Sequence, residues 1–153
     1  MYNPFLQFAD YLRYREAVKR ADKAHEETGE RYYVMPVNIT KDAVSGKPKL
    51  IIMDRANFRK LKQKHYISQS ATQRDMLNEC FYCTPYRDGH GYLDAKGRRI
   101  KLFLYFSYCK ATRKLFKEYK HAKRKDFVLW NRLHQAIRRM FGKQSEEGGQ
   151  QSK

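Results

Sequence analysis

The sequence predicts an α+β domain, mostly helical, with a small β-hairpin in its N-terminal half and a basic helical segment toward its C-terminus. Three observations predict it. Apolar residues recur at three- and four-residue steps over most of the chain. Two short β-rich runs, 31–35 and 49–53, flank a stretch of turn formers. Residues 98–143 hold 15 basic residues against 2 acidic ones. A length of 153 residues fits one such domain over 1–141 and a disordered tail over 142–153, where Ser145, Gly148, Gly149, Gln150 and Gln151 accumulate. With 41% hydrophobic residues the chain has enough to bury a core, which excludes disorder throughout.

Asn3 before Pro4 forms an N-cap followed by proline at the first helical position. Phe8, Tyr11, Tyr14, Val18 and Ala21 then predict a helix to about Glu27, and Gly29 supplies its stop. The runs 31–35 and 49–53 predict an antiparallel hairpin closed by a long loop that contains Ser45, Gly46 and Pro48. Two strands alone are marginal, so helices are expected over one face. Asp54 caps a helix to about His65, with Phe58 and Leu61 inward. Ser70 and Gln73 have the spacing of a capping box for a helix to about Glu79, with Met76 and Leu77 as core residues.

After the turn-rich stretch 84–97, residues 100–109 read two ways. As a strand, Ile100, Leu102, Leu104, Phe106 and Tyr108 share one face. As a helix, Ile100, Phe103, Leu104, Ser107, Ala111 and Leu115 align and continue into the next stripe. Continuity favours the helix. Leu115, Tyr119, Ala122, Trp130, Leu133, Ile137 and Phe141 extend that stripe; either one long helix runs through, or a first ends near Lys125 and Asp126 caps a second, and Phe127 after the aspartate favours the break.

Charge is distributed unevenly. The formal net charge is +17. Residues 1–53 carry +2 of it, 54–97 carry +3 and 98–143 carry +13. Arg113, Lys117, Lys120 and Arg124 recur at helical spacing, Lys110, Lys114, Lys123 and Lys125 flank the row, and Arg132, Arg138 and Arg139 lie further on. Cations on a rigid helix suit a row of phosphates, so DNA or RNA is the expected partner, bound without catalysis. An acidic protein that receives the basic helix is the alternative. No zinc-finger spacing, glycine-rich clamp loop or heptad zipper is present to direct sequence specificity.

Two other groups of residues bear chemistry. Cys80-Phe81-Tyr82-Cys83 has the spacing with which two thiolates reach one zinc ion. Cys109 would be a third ligand and His90 the fourth, with His65 and His121 as substitutes for it. A second CxxC is missing, and the same cysteines also suit small buried positions beside a helix end. His90, between Asp88 and Asp94 on a glycine-flanked loop, is the one place with the makings of a nuclease site. Asp and Gly are equally what tight turns require.

The start of the chain lacks a basic n-region, and charges arrive at Asp10, Arg13 and Arg15, so no secretory leader is expected. No run approaches the roughly 20 apolar residues of a membrane span. An odd count of 3 cysteines implies no disulfide framework and points to a reducing cytoplasm.

Overall fold

The structure, a computed structural model, describes the backbone of residues 3–37 and 39–147 and the side chains of 3–37 and 42–123. Helix α1 spans Pro4–Thr28, strand β1 Tyr33–Pro36, helix α2 Ile39–Ser45 and strand β2 Leu50–Met53. Helices α3 (Arg55–Gln63) and α4 (Gln73–Glu79), strand β3 (Tyr82–Cys83) and helix α5 (Ala95–Glu147) follow. The chain divides into two units, residues 1–115 and 116–153. The architecture is mostly helical α+β, as the periodicities require.

The first unit is built on a three-stranded antiparallel sheet in the order β2-β1-β3. The expected hairpin is present, with Tyr33 opposite Met53 and Pro36 opposite Leu50. Its connection holds the short helix α2 where a plain loop was expected. Strand β3 was not foreseen, because a two-residue strand has no periodicity to detect. It pairs Tyr82 with Val34 and Cys83 with Tyr33.

Alternation along these strands sends successive side chains to opposite faces. Val34, Ile52 and Tyr82 join Tyr14, Ala17 and Ala21 of α1 and Tyr105 and Cys109 of α5 in one core cluster. Tyr33, Met53 and Cys83 join Phe58 of α3, Met76 of α4 and Cys80 in a second. Both faces of the sheet are therefore covered, where covering of only one was expected.

Local chemistry explains the helix ends. Asn3 accepts from the Phe5 amide at 3.0 Å, and Gly29 ends α1 at φ 71°, a left-handed conformation that glycine adopts freely. Asp54 accepts from the Asn57 amide at 2.6 Å. The capping box of α4 belongs to Thr72 and Asp75, not to Ser70 and Gln73. The Asp75 carboxylate accepts from both the amide and the hydroxyl of Thr72, which an uncharged glutamine matches less strongly. Those hydrogen bonds hold the Asp75 carboxyl below its ordinary pKa.

In α1 the expected stripe is buried in its later part, at Tyr14 and Ala21 with Val18 packed beside them, while Phe8 and Tyr11 are exposed and Asp10 and Ala17 are buried in addition. In α5 the residues 100–109 are helical, but Ile100, Phe103, Leu104 and Leu115 face solvent. Tyr105, Cys109 and Thr112 are buried instead, with Phe106 and Tyr108 packed beside them. Tyr14 donates to the Phe81 carbonyl at 3.1 Å, and Tyr108 donates to Asp42 at 2.7 Å. Likewise Met76 is buried in α4 whereas Leu77 is exposed.

The helix α5 runs through Asp126 without the expected break. It continues past Gly142, where the tail was expected to begin, as far as Glu147. Trp130, Leu133, Ile137 and Phe141 have side chains outside the described residues. Among the described residues, no helix is long and apolar enough to cross a membrane.

Candidate nucleic-acid interface

The basic residues of α5 separate into those that hold the fold and those that face solvent. Arg113 is in the first group. Its two terminal nitrogens each donate to a carboxylate oxygen of Asp10 at 2.6 Å, and the Asp10 side chain is 0% exposed. Arg113 therefore fastens α5 to α1 and is no member of an outward row. Lys101 donates to the carbonyls of Leu77 and Asn78 at 2.7 and 3.2 Å, where it satisfies the C-terminal end of α4. Arg98 lies 5.0 Å from the ring centroid of Tyr92 and donates to the Leu93 carbonyl.

Exposed cations make up the second group. In the first unit these include Lys110 and Lys114. In the second they are Lys117, Lys120 and Lys123. Lys120 reaches over the Phe116 ring at 5.0 Å and Lys123 over the Tyr119 ring at 5.9 Å, which guides their flexible stems along the helix. Arg124, Lys125, Arg132, Arg138 and Arg139, also expected at this surface, have side chains outside the described residues.

Tertiary structure adds a basic cleft that segment-by-segment counting could not show. Arg13 and Arg20 of α1 border a cavity of about 390 Å³ together with Lys47 and Lys49 from the stretch before β2. Helix α1 carries balanced charge and the stretch before β2 only two lysines, so no long basic run in the sequence marks the site.

The four residues proposed as metal ligands are not brought together. Cys109 lies in the cluster on one face of the sheet, and Cys80 and Cys83 lie in the cluster on the other. His90 is exposed, with Nδ1 3.1 Å from Asp88. Among the described residues, no group of three or more His, Cys, Asp and Glu side chains converges. Cys80 and Cys83 do face each other, and all three thiols are free and buried. Cys83 is pulled down to about 6 by a hydrogen bond from the Cys80 thiol and by Arg31, whose Nη2 lies 3.1 Å from its sulfur. Cys80 is pushed far up, because its proton is held by Cys83 and because it is buried. A guanidinium, rather than further ligands, thus neutralises Cys83. Burial pushes the Cys109 thiol up to about 12.

The loop at His90 is put to structural use. The Asp88 carboxylate accepts from the His90 amide at 3.0 Å, and Gly89 and Gly91 take positive φ of 84° and 70°. Asp94 accepts from the Gly97 amide at 2.6 Å and so caps the start of α5. These are turn and cap geometries. No protein-family model, curated protein or solved structure matches this chain.

Proposed function

We propose that this protein binds nucleic acid without cleaving it, contacting phosphates through the exposed lysines of α5. The observation that carries the reading is the concentration of charge, +13 over residues 98–143. Exposed lysines spaced along a helix repel one another slightly, and a polyanion relieves that repulsion while it releases condensed counterions. The basic cleft of Arg13, Arg20, Lys47 and Lys49 supports the same reading for the first unit. Three buried free thiols suit the reducing cytoplasm in which the reading places the chain.

The test is fluorescence anisotropy with single- and double-stranded DNA and RNA over a salt series. The intact chain is compared with a variant in which Lys110, Lys117, Lys120 and Lys123 are each changed to Glu. Arg113 is left in place because it holds Asp10. For duplex DNA, each phosphate that no longer meets a lysine makes the slope of log K against log salt shallower by about 0.9. Unchanged binding and slope in the variant would refute the reading.

A second reading is favoured by one observation. Phe5, Phe8 and Leu12 of α1, and Ile100 and Phe103 of α5, are exposed. Large exposed apolar side chains mark protein-binding surfaces. In this reading the basic helix docks on an acidic protein. Nucleic acid co-purifying with the chain separates the first reading from the second.

A further inference from the structure

Arg31 is the least conventional side chain of the first unit. It is 8% exposed, yet among the described residues no carboxylate pairs with it. Its Nη2 donates to the Cys83 sulfur and to the Gly91 carbonyl, each at 3.1 Å, and its Nε has no hydrogen-bond partner. The guanidinium carbon lies 4.2 Å from the centroid of Tyr86 and 5.4 Å from that of Tyr33. Its charge is met by the Cys83 sulfur, a carbonyl and ring faces, and the remaining cations of its surroundings are Arg55 and Arg87.

Those surroundings are a cavity of about 450 Å³, within the range of small-molecule sites. Arg31, Tyr33, Tyr86, Arg55, Arg87 and Gln73 line it. Arg55 and Arg87 are exposed residues of that lining. Arg87 is steered there by the Thr28 carbonyl at 3.2 Å and by Gly29, where a Cβ would lie 2.6 Å from its Nε. Tyr86 is 48% exposed with Arg31 against its ring, so part of its surface is accessible from the cavity it lines. Glu30 and Asp88 also border the cavity, and a carboxylate there accepts hydrogen bonds from sugar hydroxyls.

We propose that this cavity binds a nucleotide, with its phosphate between Arg55 and Arg87 and its base stacked on Tyr86. Guanidinium forks match phosphate oxygens in pairs, and an aromatic face accepts any base. The same chemistry arrives from two sources, a free nucleoside monophosphate or the phosphorylated end of a strand. Only the second rests on the nucleic-acid reading above.

The experiment titrates the full chain with adenosine monophosphate, adenosine and inorganic phosphate by calorimetry. It also compares short 5′-phosphorylated and 5′-hydroxyl oligonucleotides by anisotropy. Both sets are repeated with Arg55→Gln/Arg87→Gln, with Tyr86→Ala, and with the α5 lysine variant. Arg55 and Arg87 are exposed, so their variant keeps the fold, which circular dichroism verifies. The monophosphate should bind about tenfold or more tightly than adenosine, the scale of one charge-assisted hydrogen bond. That preference should vanish in Arg55→Gln/Arg87→Gln, weaken in Tyr86→Ala and persist in the α5 lysine variant.

Preference for a 5′-phosphorylated strand that free monophosphate displaces supports the site with the strand end as its source. Binding of monophosphate with no strand preference supports it with the free nucleotide as its source. Equal affinity for monophosphate and adenosine overturns the proposal, as does wild-type binding by Arg55→Gln/Arg87→Gln. Inorganic phosphate binding as tightly as the monophosphate overturns the role of Tyr86 and the base. Loss of strand binding in the α5 lysine variant alone bears on α5 and leaves the cavity result readable.

Discussion

Replacing Asp10 by alanine should be among the most damaging single changes in the first unit. Asp10 is fully buried and accepts two 2.6 Å hydrogen bonds from Arg113, whose side chain is 17% exposed. It also accepts one of 2.9 Å from Arg13, which is 48% exposed and returns to water at little cost. Removing the carboxylate strands the Arg113 guanidinium in a largely desolvated position. Breaking a buried pair from one side costs about 3–5 kcal/mol, a large share of a typical stability of about 5–15 kcal/mol. Taking about 4 kcal/mol and a slope of about 2 kcal/mol per molar urea, the unfolding midpoint falls by about 2 M.

The double variant Asp10→Leu/Arg113→Met separates the pair from the place it occupies. Apolar residues of similar volume often replace a buried ion pair at no net cost, so this variant should recover most of the forfeited stability. Urea unfolding followed by circular dichroism supplies all three midpoints. A loss of under about 1 kcal/mol in Asp10→Ala, or no recovery in the double variant, would refute the reasoning.

The pairing of Cys83 with Arg31 makes stability depend on pH. Cys83 is drawn from an ordinary value of 9.0 to about 6 in the folded chain, so its contribution is full above pH 9 and is lost as pH falls toward 6. Cys80 is shifted the opposite way and lowers stability as pH rises beyond its ordinary value of 9.0. The gap in unfolding midpoint between the wild type and Cys83→Ser should therefore widen from pH 6 to 9, and a constant gap would contradict the assignment. Protein purified without added zinc should carry no stoichiometric metal, since Arg31 neutralises Cys83 where a cation would have to approach. Metal analysis showing one zinc per chain would mean that the pair opens to receive it.

Local signals proved readable wherever a single element decides its own conformation. Asn3 and Pro4, Asp54, and the strands on either side of the 36–50 connection behave as their local chemistry demands. The charge concentration in 98–143 is likewise a property of composition alone. The facing of α5 was not legible: the more hydrophobic stripe of Ile100, Phe103, Leu104 and Leu115 lies outward, while Tyr105, Cys109 and Thr112 are buried and Tyr108 donates to Asp42, a partner 66 residues away that residue order does not reveal.

The candidate sites divide along the same line. That α5 is basic follows from residue order, but that Arg113 belongs to the core and not to the ridge depends on Asp10, which lies 103 residues away. Arg31, Arg55 and Arg87 sit in segments of small net charge and become one cationic cavity only because β1, α3 and the loop before α5 converge. Residue order is enough for the mostly helical α+β class, the helix caps at Asn3 and Asp54, and the placement of the charge. Tertiary structure alone decided which cations are exposed, which thiol pairs with a guanidinium, and where a cavity forms. Those outcomes are set by desolvation and by partners far apart in the chain, and periodicity encodes neither.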